Sequence, residues 1–189
     1  MKKVSLSGSL RENVGKKDAK ALRVAAKVPC VIYGGKDQVH FSVDETSFKP
    51  ILYTPNSHLI NIEVAGKEYL TILQDLQSHP VSDSILHADF LELSKERPVI
   101  ISIPIRVTGT SPGVLRGGKL IKKFRKLKVK ALIEHLPDDI EVSISNLDLN
   151  QAVKVGDLKL DNVEFLDVRS AVILTVQSTR NVEPVAPGK

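Results

Sequence analysis

The chain has 189 residues, 42% of them hydrophobic and 26% charged, and carries a net charge of +5 with a sequence pI near 9.3. It is long enough for two modest domains with cores of their own, and its composition excludes wholesale disorder. The single cysteine, Cys30, excludes an internal disulfide framework and any multi-cysteine zinc site, and its plain reading is a buried strand residue.

No apolar run reaches the length of a bilayer span. The alternating N-terminus MKKVSLSGSL lacks the apolar core of a signal peptide, so a cytoplasmic location is expected. The charge is unevenly spread: residues 1 to 36 hold nine Lys/Arg against two acids, a local balance of +7 that exceeds that of the whole chain. Such a block reads as a surface for a polyanion, and RNA fits best.

Taken in order, residues 3 to 10 alternate as in a half-buried strand, with Val4, Leu6 and Leu10 on one face and Ser5, Ser7 and Ser9 on the other. A polar loop around Gly15 leads to a helix with Asp18 as its expected cap and Ala21, Leu22, Ala25 and Ala26 at helical spacing. Pro29 is expected to force the chain out of helix, after which Val31 to Tyr33 are extended and Gly34-Gly35 turn. Val39, Phe41 and Val43 form the next strand, and Asp44 is placed to cap a short helix through Phe48, Ile51 and Leu52. Leu59 to Val64 and Tyr69 to Leu73 make a hairpin around Gly66. A polar segment, Gln74 to Pro80, then precedes a strand over Ile85 to Leu93, with His87 and Asp89 on one side and Leu86, Ala88 and Phe90 on the other.

Ser94 to Pro98 has the composition of a linker. Beyond it Val99, Ile101, Ile103, Ile105 and Val107 share one face of a strand, GTSPGVLRGG (109 to 118) is turn-rich, and Leu127, Val129, Ala131 and Ile133 alternate with lysines. Ile140 to Ile144, Val163 to Leu166 and Ala171 to Val176 add strands, with a turn near Gly156-Asp157. The fold class is therefore mainly β: a first domain over 1–93 with about two short helices, a linker over 94–98, a second β-rich domain over 99–180 and a flexible tail over 181–189.

Several residues carry chemistry, each with a plainer reading beside it. The basic helix is a solvated face or an RNA contact. Tyr33 is a sheet residue with its hydroxyl at the rim, or a stacking group. His79 before Pro80 can cap a turn. His87 and Asp89, two apart on a strand, form a structural hydrogen bond, a metal-ligand pair or an acid/base pair, in that order. Residues 113 to 130 hold eight Lys/Arg and no acid, which suits a solvated sheet face or a contact with RNA or a protein neighbour.

The segments GKKDAKALRVAAKVPCVIYGGK, QDLQSHP and LHADFLEL resemble those of the bacterial large-subunit ribosomal protein L-twenty-five family, whose long members are also called general stress protein CTC. The likeness spans nearly the whole chain: residues 1 to about 93 resemble the family's 5S rRNA-binding domain, an N-terminal β-barrel, and Gly109 to Val114 with Gly117 to Lys119 resembles the second domain of the long members. The resemblance implies a non-catalytic ribosomal protein that binds the loop E region of 5S rRNA within the central protuberance and supports translation. Carried onto this chain, the implied RNA-binding residues are Arg11, Arg23, Tyr33, His87 and Asp89, with Lys16, Lys17, Lys20, Gln74, Gln77 and His79 as neighbours. The chain departs from the family's pattern at Asp18, where acids are unusual, and at Ala21, where shorter members often carry arginine; fewer phosphate contacts are then expected.

The implied partners are 5S rRNA and, through the second domain, neighbouring large-subunit proteins and 23S rRNA, with the chain a monomer within the ribosome and no membrane involved. No cofactor of its own is implied; Mg²⁺ accompanies the RNA. Two other functions compete: a stress-linked RNA-binding or chaperone-like factor acting off the ribosome, and a metal-dependent hydrolase using His79, His87 and Asp89. The hydrolase lacks a nucleophile motif, a Gly-rich phosphate loop and a third well-spaced ligand.

Overall fold

The computed structural model describes residues 2–35, 37–52, 54–94 and 96–179; the expected tail lies outside them. Strands dominate, and the chain divides after Val99 into two compact units.

The first unit is a closed barrel. Its strands are β1 (Lys2–Leu10), β2 (Lys27–Tyr33), β3 (Val39–Asp44), β4 (His58–Val64), β5 (Lys67–Ser78) and β6 (Ile85–Glu92), arranged in the order β1-β3-β2-β6-β5-β4. Closure comes from parallel pairing of β1 with β4, from Lys2 opposite His58 to Gly8 opposite Val64, which leaves this sheet without a free edge. Alternation drives one side of each strand inward. Leu6, Ile32, Phe41, Ile60, Ile62 and Phe90 are buried, and the Phe90 ring packs 5.8 Å from Phe41 and 6.3 Å from Phe48 between centroids. At Gly8 a Cβ would lie 2.5 Å from Phe41 Cδ2, so only glycine lets β1 pass that ring. The β4–β5 hairpin turns through Ala65 and Gly66 at φ 51° and 76°, the pair of left-handed residues that a two-residue hairpin loop needs.

Five local expectations are corrected. The helix α1 spans Lys16–Val24 and has no side-chain cap; Asp18 lies within its first turn. It ends at Ala25 and Ala26, the latter at φ 56°, before Pro29 is reached. Pro29 instead sits in β2 opposite Ser42, and pairing with β6 starts only at Cys30, so on that side no ladder bond requires its missing N–H. Leu10 is 55% exposed, because β1 leaves β4 at Gly8. The supposed polar segment after Leu73 is mostly strand: β5 continues to Ser78 with one face in solvent, and its register with β6 shifts around Gln74 in the manner of a bulge. Asp44 makes no capping hydrogen bond to the 3-10 turn Glu45–Phe48, which runs into α2 (Lys49–Leu52).

The second unit contains β7 (Val99–Thr108), α3 (Pro112–Leu115), β8 (Lys119–Lys122), β9 (Lys126–Ala131), β10 (Ile140–Ser143), β11 (Ala152–Lys154), β12 (Val163–Phe165) and β13 (Val172–Gln177). They form a four-stranded sheet, β10-β7-β9-β12, and a three-stranded one, β11-β13-β8. Ile103, Leu127, Val129, Ile140, Ile173 and Leu174 are among its buried residues. The fully buried Ser111 ties α3 down: its hydroxyl donates to the Leu147 carbonyl and accepts from Val114 N.

Truncating Phe90 to alanine removes the ring shared by two aromatic contacts. It is expected to cost about 3–5 kcal/mol, read as a lower denaturant midpoint for the first unit.

Candidate nucleic-acid interface

The burial of Ala88 and Phe90 forces His87 and Asp89 onto the outer face of β6, because successive side chains in a strand point to opposite sides. Register then assembles neighbours around them. Val31 of β2 pairs with Asp89, and Asp75 and Gln77 of β5 pair with Asp89 and His87. Tyr33, two residues beyond Val31, belongs to the same outer face. Its hydroxyl is held above the ordinary tyrosine range by partial burial, then by the negative charges of Asp89 and Asp75.

The His87 Nδ1 and Asp89 Oδ1 atoms stand 2.6 Å apart with about a third of each side chain exposed. That carboxylate oxygen is sheltered from solvent, so His87 is its close neighbour in the free protein. Asp89 thus keeps Oδ1 inward against His87, and a donor arriving from outside the barrel would meet the exposed remainder of the carboxylate.

The helix α1 has no buried residue and nine residues, too few to be stable alone in water. Polar ties help to fix it. Arg23 Nε donates to the Leu86 carbonyl at 3.0 Å, which anchors this guanidinium beside the outer face of β6. Arg11 donates to Asp18 Oδ2 through Nε at 3.1 Å and Nη2 at 2.6 Å. Lys16, Lys17 and Lys20 are exposed.

The structure therefore brings Tyr33, Gln77, His87 and Asp89 onto one surface with Arg23 at its border, while Arg11 is engaged elsewhere, with a side chain 8% exposed. Gln74 is exposed at the register shift. His79 caps the turn after β5, its Nδ1 accepting from Val81 N and Ser82 N at 3.3 and 3.2 Å; this is the plain reading of the residue, and it leaves Nε2 for other partners. Sequence reasoning missed Asp75, although its alternation with Leu76 inside QDLQ was the available signal.

Chemically the surface has two zones. Cations on α1 suit phosphate oxygens, and a planar guanidinium can present two donors at once. The Asp75–Asp89 pair repels phosphate and suits amino donors such as base edges. Cys30 takes no part: it is wholly buried, and burial pushes its thiol far up, with a smaller lowering by Arg11. The described residues bring no three His, Cys, Asp or Glu together as metal ligands, and no helix among them is long and apolar enough to cross a membrane.

In the second unit, acids from elsewhere pair with part of the basic run or bond its backbone. Arg116 meets both oxygens of Asp148 at 3.0 and 2.9 Å, Lys130 lies 3.7 Å from Glu164, and Asp167 accepts from Lys128 N at 2.8 Å. With Leu127, Val129 and Ala131 buried beneath the lysines, β9 has the character of a mixed, solvated sheet face.

Comparison with known proteins covers both units. Residues 6–90 match the model of the Ribosomal L25p family, and residues 98–180 match that of the Ribosomal protein TL5, C-terminal domain. The large ribosomal subunit protein bL25 of Cytophaga hutchinsonii is 43% identical over 183 residues, covering 97% of this chain and 95% of that protein. Its counterpart in Azobacteroides pseudotrichonymphae is 41% identical, covering 95% and 96%. That of Porphyromonas gingivalis is 38% identical over the full length of both chains.

Ultraviolet titration is expected to place Tyr33 above the ordinary value of 10.0. Asp89→Asn should lower its midpoint more than Asp75→Asn does, with a residual elevation from burial in each; unchanged midpoints would remove both carboxylates from its surroundings.

Proposed function

Since the chain belongs to the ribosomal L25p family in its long form, we propose that its barrel binds 5S rRNA at the loop E region, within the central protuberance of the large subunit. The protein is a structural constituent of the ribosome and not an enzyme. The observation that carries the RNA-binding reading is the outer face of β2, β6 and β5, where Tyr33, Gln77, His87 and Asp89 lie beside the anchored Arg23.

In this reading the cations of α1 hold the phosphate backbone and set register without reading sequence. Asp89, its inner oxygen turned to His87 and about a third of its side chain exposed, accepts from base amino groups through the outer part of the carboxylate. Tyr33, kept as a neutral phenol, stacks or donates. Regular A-form RNA has a major groove too narrow for such side chains, so the target is an internal loop of non-Watson–Crick pairs that opens it. Mg²⁺ belongs to the RNA, and the protein itself needs no cofactor. The second unit, whose basic run is paired with acids at Arg116 and Lys130, braces neighbouring proteins or 23S rRNA.

The test is equilibrium binding of the intact chain to 5S rRNA and to an unrelated structured RNA across a salt series. Arg23→Ala should weaken both complexes and flatten the salt dependence by about 0.7–0.9 in log–log slope. Asp89→Ala should spare the slope but reduce the preference for 5S rRNA by about 1–3 kcal/mol. Equal binding of the two RNAs, unchanged by either substitution, would overturn the proposal.

A further inference from the structure

The basic block contains one cation that is not available where it stands. Arg11 directs two nitrogens to a single oxygen of Asp18, at 3.1 and 2.6 Å, and its Nη2 also meets the Asn13 carbonyl at 3.4 Å. Its side chain is 8% exposed against 36% for Asp18, so the carboxylate faces solvent and the guanidinium lies behind it. Arg23 contrasts with it: a neutral carbonyl holds Nε alone, which leaves its full charge and its two terminal nitrogens for a phosphate.

We infer that Asp18 sequesters Arg11 and thereby sets the RNA affinity of the barrel below what its cation count would give. This rests on the RNA-binding reading above. A phosphate approaching α1 meets the Asp18 carboxylate before it meets Arg11, and can gain that guanidinium only by displacing a charge-assisted hydrogen-bonded partner already in place. The same bond tethers the first turn of a helix with no buried residue. Asp18 is therefore a positioning residue that trades one phosphate contact for a fixed α1.

The consequence appears in the salt dependence. One phosphate contact, a slope of about 0.9, is worth roughly fivefold in affinity near 0.15 M salt. In the native chain Arg11→Ala should leave the slope nearly unchanged. Asp18→Asn, which keeps the shape and loses the charge, should tighten 5S rRNA binding roughly fivefold and steepen the slope by about 0.9. In the Asp18→Asn background, Arg11→Ala should then abolish that gain. Asp18→Glu keeps a charge within reach and should behave as native. Thermal melts followed by circular dichroism confirm that each variant is folded.

A reading that needs no substitution at Asp18 comes from the arginine Nε–H resonances of the native chain on addition of 5S rRNA: that of Arg23 should move and that of Arg11 should stay. Equal movement of the two, an Asp18→Asn variant that binds no tighter, or an Arg11→Ala effect on slope of the same size in both backgrounds would overturn the inference. The two proposals fail separately. If Arg23→Ala weakens binding and 5S rRNA is preferred while Asp18→Asn changes nothing, only the sequestration is wrong; if the native chain prefers no RNA and Arg23→Ala has no effect, both fall.

Discussion

The Phe90 ring, buried against Phe41 and Phe48, pins β6 in the barrel, and the rest of the candidate site follows from that register. A strand offers two faces, and a slip of one residue would exchange them entirely. With Ala88 and Phe90 committed to the core, His87 and Asp89 have no other place than the outer surface. Pairing on both sides of β6 then brings Val31 and Tyr33 from β2, and Asp75 and Gln77 from β5, to the same face. A stiff closed sheet supports these side chains, which suits recognition that needs positions fixed within fractions of an ångström.

Charge on the barrel is divided between two kinds of support. The carboxylates stand on strands, where the backbone gives them little freedom, whereas the cations stand on a short helix that buries nothing and is held by polar ties. The division fits the two tasks that RNA sets. Phosphate contacts tolerate some play and depend on salt, while contacts to base edges demand geometry and an absence of competing phosphate. Asp89 shows the geometry directly: its inner oxygen is held against His87 and the exposed part of the side chain faces outward.

The strands and the hairpin were legible in the sequence because alternation and turn chemistry are local signals, and the outer face of β6 followed from them. The end of α1 was not: Ala26 adopts a left-handed conformation that no alanine announces, and Pro29 was credited with a break already made. The reach of β5 to Ser78 was hidden because a strand with one solvated face and a bulge at Gln74 looks like a polar loop. Charge partners were hidden for another reason. Asp148 and Glu164 come from distant sequence to pair with Arg116 and Lys130, and nothing local identified Asp18 as the partner of Arg11. Residue types and local periods are visible in a sequence; which charge meets which is decided by the fold.

Hydrogen exchange of the intact chain, with and without 5S rRNA, addresses the central claim most directly, because it reports which face meets the RNA. Slowed exchange is expected in α1, in β6 and in the turn over residues 79 to 84, with β4 and the β4–β5 hairpin unchanged. Protection confined to the second unit, or none anywhere on the barrel, would contradict it.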